Sequence, residues 1–290
     1  MTAPSTRPTV TISPNNPVFD LPLYVARDDG LFERAGIDVR FQAKYSERNP
    51  SDRDAFERLK ESLFEQGKAD VYNLCEWAGI DRSEHSRRGA QVLALRPAVG
   101  AQAILSFDSA IQEPRDLAGV PVGINDKTGS HYTTLQSLEG VLARKDIVVE
   151  HLGIPENRYK ALKERTSRAV AVMEPFISLG LKEGAHLVDV TFYRGAEVIA
   201  PGLAPEQRSA YLNAINEAAD RIMADFGKYK HYVTEQTKGA LQPHEMSSEF
   251  VRYTHYVLYD PKRFQQVYEW MRSWGLASGD ADHEKVVASF

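Results

Sequence analysis

Three short segments carry residue types whose spacing could do chemistry. The first is Ser13-Pro14-Asn15-Asn16-Pro17, followed by Asp20. Asparagine amides both donate and accept, which suits a polar ligand group; the same residues also build turns. The second is Tyr72-Asn73-Leu74-Cys75-Glu76-Trp77. Glu76 is a candidate general acid or base if burial raises its pKa. Cys75 is a candidate nucleophile if a neighbouring cation lowers its pKa, although a lone cysteine also serves as a small buried hydrophobe. Trp77, with Tyr72 in the same segment, offers an aromatic face to a planar ligand. The third is Asn125-Asp126-Lys127-Thr128-Gly129-Ser130-His131. A strand ends there, a glycine turn follows and a helix begins, so exposed N–H groups and the helix dipole favour a carboxylate, sulfonate or phosphate. Ser130 also fits a helix cap. His131 is the histidine best placed to move a proton, and a solvated surface histidine is its plainer role.

The elements that must hold these segments alternate between strand and helix. Thr9–Ser13 is β-branched and alternating, Leu23–Phe32 has a short amphipathic period, and Ile37–Phe41 resumes a strand. The pattern then predicts a helix over Asp54–Gln66 and strands at Ala69–Leu74, Gln91–Leu95, Ala101–Phe107, Val120–Asn125 and Ile147–His151. A helix is expected over Tyr132–Leu142, and Ala169–Met173 reads as a strand or a buried helix start. Such alternation predicts an α/β fold with a mainly parallel sheet, whose ligands sit beyond strand C-termini. After about residue 203 helical periods take over, at Pro205–Ala224, Tyr229–Thr237, Ser247–Leu258 and Pro261–Trp274. The aromatics of that region, Tyr253 to Trp274, read mainly as packing between helices.

Composition excludes several classes. A net charge of -5 over 290 residues, with no basic stripe, argues against nucleic acid as the main partner. The cluster Arg82, His85, Arg87 and Arg88 reads as a solvated helix face. One cysteine rules out an internal disulfide and a multi-cysteine metal site, and no histidine spacing suggests a metal. No dinucleotide fingerprint, P-loop or nucleophile elbow is present, so no cofactor is expected. No apolar run approaches the roughly 18 residues of a membrane span. The first ten residues lack the charged and apolar regions of a signal peptide, and the expected location is the cytoplasm.

A family resemblance adds to this reading. Pro22-Leu23-Tyr24-Val25-Ala26, Gly30-Leu31-Phe32, Ala35-Gly36-Ile37-Asp38-Val39, Gly67-Lys68-Ala69-Asp70-Val71 and Asp116-Leu117-Ala118-Gly119 follow one another as they do in the type II periplasmic-binding-protein superfamily. The chain most resembles the sulfonate, taurine and thiamine-precursor branch, over about residues 9–145. The resemblance implies two α/β lobes, residues 1–105 with 196–290 and residues 106–195, around a ligand cleft, with a helical C-terminal region. It also implies that residues 72–77 face the cleft, and that Glu174, in Met173-Glu174-Pro175, lies on its edge. Glu174 could there pair with a ligand amine or hydroxyl; its plainer role is a charge at a helix N-terminus.

The same fold serves dihydroxyphthalate decarboxylase and hydroxybiphenyl-sulfinate desulfinase. The desulfinase places a nucleophilic cysteine before a proline in the first loop, where this chain has Asn16 before Pro17. The functional expectation is a cytosolic lyase or decarboxylase acting on a small anionic, aromatic compound, with Glu76 or His131 moving the proton. The alternatives are the substrate-binding component of an ABC importer for a sulfonate, carboxylate or pyrimidine-like ligand, and a sensor without turnover. The expected partner is a small molecule, and the chain is expected to be a monomer or homodimer.

Overall fold

The computed structural model describes residues 7–49, 52–277 and 279–289. The first six residues, part of the expected non-signal N-terminus, lie outside them. The strands are β1 (Thr9–Ile12), β2 (Asp38–Phe41), β3 (Val71–Cys75), β4 (Gln91–Ser106), β5 (Pro121–Ile124), β6 (Val148–His151), β7 (Ala169–Val172), β8 (His186–Ile199) and β9 (Val251–Tyr253). The helices are α1 (Pro17–Asp28), α2 (Leu31–Arg34), α3 (Leu59–Glu65), α4 (Glu76–His85), α5 (Gly129–Leu138) and α6 (Pro155–Lys163). They continue with α7 (Phe176–Lys182), α8 (Pro205–Ala224), α9 (Phe226–Thr234), α10 (Pro261–Ser273) and α11 (His283–Val286).

One sheet runs through the molecule in the order β2-β1-β3-β8-β4-β7-β5-β6, with β9 on β4. The outer pairs are parallel: β1 with β2 and β3, and β5 with β6 and β7. Two long antiparallel strands, β4 and β8, join the ends. The far end of β8, Gly195–Ile199, pairs with β3, while Ala103–Leu105 of β4 pair with β7. The result is a two-lobed α/β fold. A large core gathers Val10, Leu21, Val71, Val92 and the α8 stripe of Leu212, Ile215, Ala219 and Ile222. A smaller one gathers Ile104, Leu117, Val122, Ile124, Ala171 and Val188.

Several elements differ from the sequence expectation for identifiable reasons. Helix α1 starts at Pro17, six positions before the expected Leu23, and continues through Pro22. Asn16 caps it by accepting from the Val18 N–H at 3.1 Å. Pro22 leaves the Val18 carbonyl without its intrahelical donor, and the buried Tyr253 hydroxyl supplies one at 2.8 Å. Helix α3 occupies only the end of its expected span, because Asp54 accepts from the Phe56 N–H and turns the chain there. The two strands expected at 91–95 and 101–107 are one strand, interrupted by a register shift between Leu95 and Val99. Segment 247–258 is not helical. Val251 and Tyr253 are buried while Arg252 is exposed, a period of two, and β9 pairs with β4. No expected element corresponds to β8, whose buried and exposed residues alternate only in part.

Candidate functional site

Between the lobes lies a cavity of about 120 Å³. Its walls come from the loop before α1, the segment between β2 and α3, the β3–α4 junction, the β5–α5 turn and the start of α6. At about 30 Å³ per molecule, the volume leaves room for about four waters.

The register shift in β4 sets the floor. Between Leu95 and Val99 that strand carries two residues more than its partner β8, and the bulge turns Arg96 toward the cavity. Pro97, which has no N–H to donate, is tolerated at such a bulge. Arg96 is 1 % exposed. Its Nη1 donates to the Asn73 Oδ1, and its guanidinium stacks over the Phe19 ring, 4.1 Å from the centroid. Its Nε and Nη2 have no hydrogen-bond partner.

Three glycines make room for this arrangement. A Cβ on Gly195 would fall on the Arg96 guanidinium, one on Gly100 on the Phe19 ring, and one on Gly129 within 2.8 Å of the Tyr193 Cζ. Phe19 and Tyr193 meet edge to face at 5.5 Å. The Tyr193 hydroxyl lines the cavity, and burial raises its pKa so that it remains a donor.

A hydrogen-bonded frame stands behind the floor. Asp20, fully buried, accepts from the Asn15 N–H and the Asn73 Nδ2, each at 2.6 Å. Burial raises its pKa against the pull of these two bonds. Asn15 in turn donates to Asn73 and accepts from the Lys60 Nζ at 3.2 Å. Burial lowers the pKa of Lys60.

The opposite wall carries Arg158, which is 1 % exposed. Its Nε and Nη1 are held by the carbonyls of Ala171 and Gly153. Burial lowers its pKa to about 10. Two contacts shut the rim: Arg48 pairs with Glu156 at 2.6 Å, and the Arg58 Nη2 donates to the Asp126 carbonyl at 2.8 Å.

Of the residues singled out from sequence, Asn15, Asn16, Cys75, Asn125, Thr128 and Gly129 line this cavity. Cys75 ends β3 and precedes α4. It accepts from the Ala78 N–H, yet burial pushes its thiol up to about 11. Thr128 and Gly129 bring the positive end of the α5 dipole to the wall.

The others stand elsewhere. Glu76 is buried in a bidentate pair with Arg263 of α10, both bonds 2.6 Å, and so is not available as the proton-transfer group. His131 turns to its own loop, its Nδ1 accepting from the Lys127 N–H at 3.1 Å, and burial lowers its pKa. Trp77 does not face the cavity; it stacks on Tyr132 and packs against Tyr193 from behind. Tyr72 packs against Phe64 in the core. Ser130 closes its turn by accepting from the Asn125 N–H at 3.0 Å. Glu174 lies beneath the edge and caps the start of α7, accepting from the Ser178 N–H and hydroxyl. Only its neighbour Met173 reaches the wall. Asp20 acts behind the wall, through Asn15 and Asn73.

Sequence reasoning missed Arg48, Arg58, Lys60, Arg96, Arg158 and Tyr193. One signal was present: an arginine inside the apolar run Val92-Leu93-Ala94-Leu95-Arg96-Pro97-Ala98-Val99.

This geometry belongs to a known class of fold. No protein-family model matches the chain, and no curated protein sequence matches it. Solved structures do. The ligand-binding component of an ABC-type import system from Staphylococcus aureus superposes with a TM-score of 0.71 at 14% identity, over 97% of both chains. The periplasmic aliphatic sulphonate binding protein of Escherichia coli gives 0.69 at 15%, over 97% of this chain and 98% of that one. The desulfurization enzyme DSZB gives 0.63 at 15%, over 97% and 96%. The chain therefore has the two-lobed periplasmic-binding-protein fold, which houses both binding proteins and an enzyme.

Proposed function

We propose that this protein binds a small anion with a flat apolar or aromatic body, enclosed between the two lobes. The observation that carries this reading is Arg96, a buried guanidinium with two unpartnered nitrogens in the cavity wall. A buried charge without a counter-ion is costly, and a carboxylate or sulfonate would supply one through charge-assisted hydrogen bonds. Phe19, Leu74, Met173 and Ile154 supply the apolar walls. In this reading residues 1–105 with 196–290 close on residues 106–195, and Arg48–Glu156 and Arg58–Asp126 latch the closed state.

Binding without turnover is the role we assign, as in the substrate-binding component of an importer. Neither Glu76 nor His131 faces the cavity, and Cys75 is held as the thiol. A lyase reading would run through Cys75 or Lys60, both of which line the cavity.

A thermal-shift screen of aromatic carboxylates, sulfonates, sulfinates and neutral pyrimidines, with mass spectrometry of each hit after incubation, tests both readings. Stabilisation by acids that are recovered intact is expected. Equal stabilisation by the neutral compounds would refute anion binding. Consumption of an acid by wild type but not by Cys75→Ser would replace binding with catalysis.

A further inference from the structure

The charge around the cavity exceeds what one acid group can answer. Five cations line it, Arg48, Arg58, Lys60, Arg96 and Arg158, against the single carboxylate of Asp52. Among the described residues only Arg48 has an ion pair, with Glu156. The remaining four reach no carboxylate within 4.0 Å. Asp20 and Glu197 act on Arg96 from behind at longer range, as Asp20 and Glu61 act on Lys60, Glu61 and Asp126 on Arg58, and Glu156 on Arg158.

These cations form two groups. Lys60 and Arg96 share the Asn15–Asn73 frame at the floor. Arg158 stands on α6, held only by backbone carbonyls, which orient a guanidinium without cancelling its charge. Its Nη2 makes no hydrogen bond to a described residue. Arg96, Arg158 and Tyr193 line the same cavity, so the two groups face one volume. A ligand with one acid group would answer one of them and leave the other buried guanidinium with only carboxylates beyond ion-pair range to answer it.

Resting on the anion-binding reading above, we infer that the ligand carries two anionic groups on one short, flat body, one held by Lys60 and Arg96 and the other by Arg158. Each lobe would then hold one end, and a dianion would draw the cleft shut where a monoanion would not.

Titration calorimetry on the full chain tests this with matched probes: benzoate against the three benzenedicarboxylates, and benzenesulfonate against the sulfobenzoates, in Tris chloride at pH 7.5. At least one dianion should bind 30-fold or more tighter than its monoanion. Arg158→Met should bring that dianion to within about threefold of the monoanion. If every dianion lies within threefold of its monoanion in wild type, the two-acid inference fails while anion binding stands. If neither kind of acid binds, the anion-binding reading itself fails. The wild-type comparison decides the matter even if the variant does not fold.

Discussion

Replacing Arg96 with methionine separates the cost of this site from its use. In the ligand-free protein the Arg96 charge is buried with one hydrogen bond and no carboxylate in ion-pair range. An uncompensated buried charge costs about 3–5 kcal/mol, an upper bound here because Asp20 and Glu197 act on Arg96 at longer range. Methionine has similar length and no charge, and it forfeits the stacking on Phe19, about 0.5–2 kcal/mol. The Asn73 Oδ1 keeps the Asn15 Nδ2 as donor, so the substitution strands no acceptor. The balance is a gain of about 1–4.5 kcal/mol at most in the ligand-free state, a rise in Tm of about 2–12 °C. Affinity should move the other way. Losing a buried, hydrogen-bonded partner of an anion costs about 2–5 kcal/mol, about 30- to 5,000-fold in Kd. The assay is a pair of melting curves in Tris chloride, free of carboxylate, sulfonate and phosphate, with calorimetry on the best acid from the screen. A more stable protein that no longer binds is the expected result, a trade commonly found at functional sites. A fall in Tm of 3 °C or more with unchanged affinity would refute the reasoning.

Other consequences are equally open to measurement. Gly129→Ala would put a methyl 2.8 Å from the Tyr193 Cζ, costing about 1–3 kcal/mol by overpacking and weakening the ligand; a Tm within 1 °C of wild type would show that Tyr193 is free to move. Burial raises the pKa of both Glu174 and Glu197 to about 7, above the ordinary 4.5 of a glutamate. The folded state therefore holds more protons, so stability is full below about pH 4.5 and falls as pH rises toward 7. This opposes the rise that His131 and His151 contribute over the same range, since burial lowers their pKa; relative to wild type, the denaturant midpoints of Glu174→Gln and Glu197→Gln should improve from pH 5 to 8, and variants that track wild type across that range would contradict the assignment. Glu139 accepts both indole N–H groups of Trp270 and Trp274 and pairs with Arg144 at 2.9 Å, tying α10 to α5. Glu139→Ala should red-shift tryptophan emission, and an unchanged spectrum would mean the clasp holds without it.

Much of this fold could be read from the chain because its outer strands are short and strictly patterned. Thr9–Ile12, Asp38–Phe41 and Pro121–Ile124 fall where alternation and buried apolar runs place them. The long strands were harder. In β4 a bulge interrupts the pairing, and Pro22 hid the true start of α1 because the donor that compensates it, Tyr253, lies 231 residues away along the chain, hydrogen-bonded to Val18 at a separation of 235. The site was half legible for a related reason. Loop residues such as Asn15, Asn125 and Gly129 announce themselves by type and by position after a strand. Lys60 and Arg158 sit in amphipathic sequences where a cation normally faces water, and only tertiary packing buries them. Glu76 carried the right chemistry at the right segment, but it leads α4 and is claimed by Arg263, a partner with no sequence signal linking the two.

If a buried positive site selects a negative ligand, charge alone should separate two ligands of one shape. The most direct measurement is the Kd, in Tris chloride, of the tightest acid from the screen beside that of its carboxamide or sulfonamide isostere, equal in shape and neutral. The acid should bind at least 30-fold tighter, and the advantage should disappear in Arg96→Met. Equal affinity of acid and amide in wild type would contradict it.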